Sequence, residues 1–204
     1  KPIVGVGRFT SPDLMAEIVR SGSLDLIGAA RPSIADPFLP NKIREGRSTH
    51  IRECTGSNLC ILREEAFGQI GCVQNPSAGE EFRRGWHPEQ VPPATPAAAE
   101  LTVLVVGAGP AGLECALTLG RRGFAVHLVE ADASVGGRLR WMRALPTLGD
   151  WGRIVDHRVV ALAEVDNVSV ITGRQLSATD IAEYGADIVI LATGSTWRRD
   201  GIQP

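Results

Sequence analysis

The sequence predicts an α/β protein with parallel strands, and the order of its elements supports this fold class. Residues 1–50 read as strand, helix, strand and helix, and strands and helices alternate again from residue 101 onward. Parallel strands need crossover connections, which are usually helices, so this alternation favours parallel sheets. Residues 51–90 read as irregular chain and contain three of the four cysteines. A Pro- and Ala-rich linker is predicted for residues 91–100.

The composition limits the classes of function. Hydrophobic residues make up 44% of the chain and charged residues 22%, with a formal net charge of −2, as in ordinary globular proteins. We expect no nucleic-acid partner, because Lys and Arg do not cluster, and no membrane, because no apolar run approaches roughly 18 residues. The first residues do not read as a signal peptide, so we expect a cytoplasmic protein. Clustered cysteines then favour metal or redox chemistry over disulfides.

The first 50 residues place glycines and arginines directly after two predicted strands. The elements predicted here are a strand at Ile3–Val6, a helix at about 11–21, a strand at Leu24–Ala29 and a helix at about 37–45. In a (β/α)8 barrel, the loops after the last two strands commonly bind phosphate. Backbone amides at Gly7 and Ala30 and a guanidinium group from Arg8 or Arg31 would suit a phosphate. Taken alone, each arginine is more often a surface charge.

A glycine motif follows the first strand of the second part. Residues 103–112 read Val-Leu-Val-Val-Gly-Ala-Gly-Pro-Ala-Gly, which is GxGxxG between a buried strand and a helix. Gly107 permits a tight turn, Gly109 lets the backbone approach a pyrophosphate, and Gly112 allows close packing of helix on strand. Glu130 ends the next strand and is placed to accept hydrogen bonds from an adenosine ribose. The motif predicts nucleotide binding over residues 101–204 and leaves ADP, FAD and NAD open.

Two later stretches add to this motif. Ser-Val-Gly-Gly-Arg-Leu at 134–139 follows the second strand, and Ile-Val-Ile-Leu-Ala-Thr-Gly at 188–194 ends a later one. Both resemble signatures of the FAD- and NAD-linked disulfide-reductase-like family. Gly137 and Arg138 therefore join the candidate nucleotide-binding residues.

The clustered cysteines have a spacing typical of iron–sulfur proteins. Cys54, Ser57, Cys60 and Cys72 read C-x2-S-x2-C-x11-C. A four-iron cluster takes four thiolate ligands, but the second expected cysteine is Ser57, whose alkoxide is a harder ligand. Three outcomes follow: Ser57 ligates the fourth iron, that iron is labile and a three-iron cluster results, or the cluster is lost.

Other uses of the cysteines stay open. The three clustered thiols could hold zinc together with His50 or His87, or they could be buried structural residues. Cys115 lies alone in a helical pattern after the glycine motif, where core packing is the expected role.

Three stretches resemble the trimethylamine, dimethylamine and histamine dehydrogenase family. They are KPIVGVGRF at 1–9, ARPSIADPF at 30–38 and AGEEFRRGWHPE at 78–89. The resemblance covers nearly the whole chain, and Gly-Trp-His-Pro at 85–88 is specific to that group within the wider Old Yellow Enzyme class. The same class contains 2,4-dienoyl-CoA reductase, which has the same domain order.

The resemblance implies the C-terminal end of a (β/α)8 FMN barrel over residues 1–50, with Gly7, Arg8, Ala30 and Arg31 at the flavin phosphate. It implies a four-iron cluster on the three clustered cysteines, and then an incomplete Rossmann-like domain that holds ADP, with FAD as the alternative. Substrate amine would reduce FMN, and the cluster would pass the electrons to an electron-transferring flavoprotein. The resemblance also leads us to expect a homodimer of the full-length protein.

Two positions depart from the family pattern. One is Ser57, described above. The other is Glu64, which stands where trimethylamine dehydrogenases carry a Trp of the aromatic bowl around the substrate cation. A Trp face binds a methylated ammonium by cation–π attraction, whereas a carboxylate would favour a second polar or cationic group, as in a histamine-type substrate. A simply solvated Glu64 is the alternative.

The resemblance further implies that this chain is an internal fragment, inactive alone, whose catalytic residues lie elsewhere in the longer protein. Two other functions compete with the amine dehydrogenase. One is an NAD(P)H-dependent flavin and iron–sulfur reductase of the dienoyl-CoA type, which would need FAD and a pyridine nucleotide site. The other is a degenerate module that binds ADP and has lost its cluster.

Overall fold

The computed structural model describes residues 1–196 and 200–201, and the chain divides into two compact units. The first unit comprises residues 1–92 and 141–164, and the second comprises residues 93–140 and 165–204. The predicted nucleotide-binding domain runs to residue 204, so its positions 197–199 and 202–204 lie outside the described residues.

Among the described residues, the strands all take part in parallel pairs. They are β1 (Val4–Val6), β2 (Leu26–Gly28), β3 (Thr102–Val106), β4 (Ala125–Val129), β5 (Val168–Ile171) and β6 (Ile188–Leu191). The α-helices are α1 (Pro12–Arg20), α2 (Ala30–Ala35), α3 (Leu39–Arg44), α4 (Leu59–Glu65), α5 (Glu81–Arg84), α6 (Pro96–Ala99), α7 (Pro110–Arg121), α8 (Leu139–Met142), α9 (Arg153–Leu162) and α10 (Ala178–Glu183).

The first unit begins with the predicted strand–helix–strand order. β1 and β2 pair in parallel, with Val4 opposite Leu26, and α1 connects them. Ser11 caps α1 by accepting a hydrogen bond from the Leu14 amide at 3.3 Å, which satisfies one of the free amides of the first turn. Because the strands run parallel, the loops that follow them leave the same edge of the sheet.

The helix predicted at about 37–45 is α3, and a second short helix, α2, precedes it in a stretch that was predicted as a loop. The break falls at Asp36, which is extended (φ −136°, ψ 98°) and precedes Pro37. A residue before proline is sterically excluded from the α region, so the helix has to end there. The cysteine-bearing segment also differs from the prediction of irregular chain, because it contains α4 and α5. Both helices are too short to give a periodic apolar pattern.

The helix predicted over 148–164 proves to be a 3-10 turn, Gly149–Gly152, followed by α9. This stretch belongs to the first unit, whereas the sequence placed it in the nucleotide-binding domain. An amphipathic pattern shows that one face of a helix is covered and does not show which element covers it. The buried residues of α9 are Ile154, Val155, His157, Arg158, Ala161 and Leu162.

The second unit is built on a four-stranded parallel sheet in the order β5-β4-β3-β6. β3 lies at the centre with Val103, Leu104 and Val105 fully buried, and α7 packs on β3 and β4. The alternating pattern after residue 101 predicts these strands and α7, but it does not predict the short helices α6, α8 and α10. Thr95 caps α6 inside the predicted linker, and Ser177 and Asp180 form a capping box that begins α10.

No helix in the described part of the chain combines the length and the apolar character needed to cross a membrane.

A buried ion pair holds α3 to the cysteine-bearing segment. The Asp36 carboxylate and the Lys42 ammonium are both fully buried, with Nζ donating to Oδ2 at 2.7 Å. The same carboxylate oxygen accepts the Arg52 amide at 2.8 Å, and the other accepts the Phe38 amide at 2.9 Å. Lys42 also donates to Glu89. Without the Asp36 carboxylate, the buried Lys42 ammonium would keep only Glu89 as an anionic partner.

We predict that Asp36→Ala destabilises the protein by about 3–5 kcal/mol, the usual cost of breaking a buried ion pair by removing one partner. Urea unfolding of the intact protein measures this loss. Glu17→Ala is the control, because Glu17 is exposed on α1 and should change the free energy of unfolding by about 0.5 kcal/mol or less. Equal effects of the two substitutions would contradict the role given to the ion pair.

Candidate functional site

The glycine motif of the second unit forms the turn from β3 into α7. Gly107 has φ +100°, and a Cβ added there would meet the Ala192 carbonyl oxygen at 2.6 Å. A Cβ at Gly112 would meet the Gly107 carbonyl oxygen at 1.9 Å. Both positions therefore require glycine for the fold itself. Gly109 differs, because a Cβ there meets nothing within 4 Å. Open space thus lies beside Gly109, at the N-terminus of α7.

Glu130 lies beside this turn, at the end of β4. Its carboxylate is 9% exposed, with one oxygen accepting the Ala108 amide at 2.7 Å and the other accepting the Asp132 amide at 3.0 Å. The predicted ribose-binding acid therefore lies against the backbone of the glycine motif.

The stretch after β4 also reaches the glycine motif. The Gly136 amide donates to the Ala108 carbonyl at 2.8 Å, and a Cβ on Gly137 would lie 3.2 Å from the Gly109 Cα. Arg138 donates to Ser195 Oγ at 3.1 Å, and Ser195 follows Thr193 and Gly194 after β6. Sequence reasoning did not name Ser195, although its position in the loop after β6 could have indicated that it lies near the glycine motif.

The predicted nucleotide-binding residues therefore meet at the carboxyl ends of β3, β4 and β6. β3 connects through α7 to β4 on one side, while β6 pairs with β3 on the other, which makes this a topological switch point. Free amides and the positive dipole end of α7 face the open space at Gly109. This arrangement suits an anionic group such as a pyrophosphate.

The three clustered cysteines of the first unit lie close enough to affect one another. All four cysteines of the chain are free thiols. Burial is the main cause that raises the pKa of the Cys72 thiol, and negative charge on Cys54 and Cys60 acts in the same direction. The Gln74 amide, 3.4 Å from Cys72 Sγ, and the Asn75 amide lower that pKa in part. Amide donors facing a sulfur are typical surroundings of an iron–sulfur ligand.

Ser57 lies partly buried in the same segment. It is flanked by two residues in the left-handed region, Gly56 at φ +73° and Asn58 at φ +56°. Glycine and asparagine tolerate this region best, so the flanking residues suit the sharp curve of the chain around Ser57. The serine therefore occupies the turn between the first two cysteines.

Within the described residues, no group of three or more His, Cys, Asp or Glu side chains is arranged around a single metal ion. The zinc alternative is therefore not supported. His50 Nε2 lies 2.6 Å from Glu164 instead, and His87 packs edge-on against Phe38. A four-iron cluster is a different case, because each of its thiolates binds a separate iron. Cys115, half-buried on α7, has its pKa raised mainly by burial, as a packing residue would.

The arginines after β1 and β2 both contact the cysteine-bearing segment. Arg8 donates to the Cys54 carbonyl at 2.9 Å and to Asp150 at 3.1 Å, and Arg31 donates to the Asn58 side chain at 2.7 Å. Gly7 and Ala30 lie beside them at the carboxyl ends of the paired strands, where they were predicted. Glu64 is exposed near the end of α4.

Sequence reasoning missed two arginines that contact the cysteine-bearing segment and one residue of the segment that receives such a contact. Arg153 and Arg158 lie on α9, and Gln74 lies two residues after Cys72. Arg153 donates to the Cys54 carbonyl, and Arg158 donates to both the side-chain and the backbone oxygen of Gln74. These contacts join positions about 80 to 100 residues apart in the chain, so no local pattern signals them.

Two parts of the chain match known protein families. Residues 1–50 match the family described as NADH:flavin oxidoreductase / NADH oxidase, and residues 101–203 match pyridine nucleotide-disulphide oxidoreductase. Dimethylamine dehydrogenase of Hyphomicrobium sp. (strain x) is 46% identical, with 99% of this chain and 28% of that protein covered.

Two solved structures resemble the chain over 99% of its length. Histamine dehydrogenase from Rhizobium sp. 4-9 has a TM-score of 0.95 and 52% identity, with 29% of that chain covered. The 6-hydroxypseudooxynicotine amine oxidase (HisD) from Pseudomonas geniculata N1 has a TM-score of 0.94 and 55% identity, with 30% covered. The chain thus spans under a third of the length of these relatives. Its whole length belongs to the trimethylamine, dimethylamine and histamine dehydrogenase family, and its residues 101–203 belong to the pyridine nucleotide-disulphide oxidoreductase family.

Proposed function

We propose that the chain is part of an amine dehydrogenase that oxidises a small amine and passes the electrons to an electron-transferring flavoprotein. One observation carries the proposal: three free cysteines lie in a segment that the arginines after β1 and β2 contact directly. FMN, when bound, supplies two-electron acceptance from the amine, and an iron–sulfur cluster supplies one-electron transfer onward. The same first unit carries the residues proposed for both groups.

Gly7, Arg8, Ala30 and Arg31 are the residues that would hold the FMN phosphate. The match of residues 1–50 to a flavin oxidoreductase family supports FMN as the group bound here. Gly7 and Arg8 lie in the loop after β1, and Ala30 and Arg31 begin α2 after β2. Both stretches leave the same edge of a parallel pair, so their backbone amides and guanidinium groups can meet on one anion.

Cys54, Cys60 and Cys72 are the residues that would hold the cluster, with Ser57 at the fourth corner. Their fit rests on the presence of three free thiols in one segment and on the Gln74 amide, which donates to Cys72 Sγ at 3.4 Å. An amide that donates to a cluster sulfur would stabilise its negative charge.

In the second unit, ADP is the ligand that we propose for the open space at Gly109. Glu130 would accept hydrogen bonds from the adenosine ribose, and the α7 N-terminus would receive the phosphates. An acid at this position disfavours a ribose 2′-phosphate, because like charges repel. The residues proposed to line the site are Gly107, Gly109, Gly112, Glu130, Gly137 and Arg138.

Glu64 is proposed to bias the substrate towards an amine with a second polar or cationic group. Its carboxylate is exposed near the end of α4, in the same short helix as Cys60. Because the chain is similar to a histamine dehydrogenase and to a dimethylamine dehydrogenase, histamine and dimethylamine are the two candidate substrates to compare. Histamine carries the second polar group and dimethylamine does not.

Anaerobic reduction of the intact protein tests the proposal. We expect histamine or dimethylamine to bleach the flavin absorbance and NADPH to leave it unchanged. Bleaching by NADH or NADPH and not by amines would instead establish the enoate-reductase alternative. If none of these compounds bleaches the flavin in protein that retains ADP, the result would support the third alternative, an inactive nucleotide-binding module.

We predict that Ser57→Cys raises the iron content of the purified protein, because thiolate matches the soft-ligand preference of the cluster better than serine does. Iron analysis and EPR measure the change, with loss of any three-iron signal expected. Ser23→Cys is the control for an added thiol, since Ser23 is exposed and distant in sequence from the cysteines. Unchanged iron content in Ser57→Cys would show that position 57 is not a cluster ligand.

We predict that Gly109→Ala weakens ADP binding by about tenfold or more, equivalent to about 1.4 kcal/mol, while the protein still folds. The added methyl group meets no protein atom within 4 Å, so it occupies only the space proposed for the pyrophosphate. The ADP retained per chain after purification, measured by chromatography, gives the result.

Gly149→Ala is the matched control, because its added Cβ also lies in open space, 4.0 Å from its nearest neighbour. Gly112→Ala gives the opposite comparison and should disrupt folding, because its Cβ overlaps the Gly107 carbonyl oxygen. If Gly109→Ala retained the wild-type amount of ADP, the nucleotide site could not be at this turn.

A further inference from the structure

Helix α9 carries an arginine that contacts the start of the cysteine-bearing segment. Arg153 Nε lies 2.9 Å from Glu53 Oε2, and its Nη1 donates to the Cys54 carbonyl at 3.4 Å. Arg8 donates to the same carbonyl at 2.9 Å, so two guanidinium groups meet on one peptide oxygen. Asp150 pairs with both arginines and fixes their positions. Two guanidinium donors, charge-balanced by Asp150 and Glu53, therefore lie next to the first cysteine, and loss of either arginine would leave net negative charge there.

One helical turn and a half further along α9, Arg158 contacts the end of the segment. It is 3% exposed and donates to Gln74 Oε1 at 3.0 Å and to the Gln74 carbonyl at 3.3 Å. Arg52, fully buried, donates to the same carbonyl at 2.9 Å. The Gln74 side chain in turn donates to the Glu53 carbonyl at 3.1 Å. Gln74 thus links the stretch around Cys72 to the stretch around Cys54.

The two buried guanidinium groups act on a peptide that faces the Cys72 sulfur. The Gln74 carbonyl and the Asn75 amide belong to one peptide group. Burial has the larger effect on the Cys72 thiol and raises its pKa, whereas the Asn75 amide lowers that pKa by hydrogen bonding. Hydrogen bonds in a chain polarise one another, most strongly where a charged donor takes part. Cations on the carbonyl therefore make the amide a stronger donor to the sulfur. The Gln74 amide adds a second donor at 3.4 Å.

We propose that Arg153 and Arg158 are positioning residues that raise the reduction potential of the cluster held by these cysteines. This inference rests on the proposed function. Reduction adds one electron to the cluster, so nearby positive charge and stronger hydrogen bonds to its sulfurs stabilise the reduced form. Helix α9 thereby acts on both ends of the segment, through Cys54 and through the Gln74 peptide.

Arg143 provides a matched comparison in the same unit. It lies just before α9 and forms two hydrogen bonds with Asp156 of that helix, at 2.8 and 3.0 Å. The ion pair that Arg143 forms with Asp156 is exposed to solvent. Loss of this arginine removes the same formal charge without removing a contact to Cys54 or Gln74.

An EPR-monitored redox titration of the intact, cluster-loaded protein tests the proposal. The variants are Arg153→Gln, Arg153→Lys, Arg158→Met and the control Arg143→Gln. We expect a more negative midpoint potential in Arg153→Gln and Arg158→Met, a smaller shift in Arg153→Lys, and the wild-type value in Arg143→Gln. The midpoint does not depend on the fraction of chains that carry a cluster, and the EPR signals of three-iron and four-iron clusters differ, so each cluster form is titrated separately.

Arg153 is partly exposed, so its variants decide the result even where Arg158→Met does not fold. A wild-type midpoint in Arg153→Gln, or the same shift in Arg143→Gln, would overturn the proposal. A wild-type protein without iron or sulfide would instead refute the proposed function. The two failures are therefore distinguishable.

Discussion

The cysteine-bearing segment depends on guanidinium groups for its backbone hydrogen bonds. Its stretches around Cys54 and Cys72 lie outside helices and strands, so their carbonyls have no partners from regular secondary structure. The Cys54 carbonyl accepts from Arg8, and the Gln74 carbonyl accepts from buried Arg52 and Arg158. A carbonyl held by a charged donor is fixed in direction, and so are the amides and side chains on the neighbouring peptides. The orientation of the cysteines follows from this constraint.

The same constraint connects the flavin-type loops and α9 within the first unit. Arg8 comes from the loop after β1, while Arg158 comes from a helix about 100 residues later than the first cysteines. Cations in such a network require acids nearby: Asp150 pairs with Arg8, and Glu89 lies 3.9 Å from Nε of buried Arg52. Burying such charges is favourable only when every group is paired, so the network favours one arrangement of the segment over alternatives.

The second unit could be predicted from sequence in much greater detail than the first. Gly107, Gly112 and Glu130 act through contacts within one strand–turn–helix unit and the strand beside it, so their spacing alone defined their places. By contrast, Arg158 and Gln74 act through contacts that span 84 residues, and neither belongs to a motif. The placement of α9 in the first unit escaped prediction for the same reason. The apolar pattern of a helix shows which of its faces is buried, but it does not show which other element packs against that face.

The central claim is that this segment holds an iron–sulfur cluster despite the serine at position 57. Iron and acid-labile sulfide analysis of the purified intact protein, with EPR of the reduced and oxidised forms, tests it most directly. The account predicts about three to four iron atoms and about four sulfides per chain, with a cluster signal in one of the two states. Protein that folds and retains ADP but contains neither iron nor sulfide would contradict it.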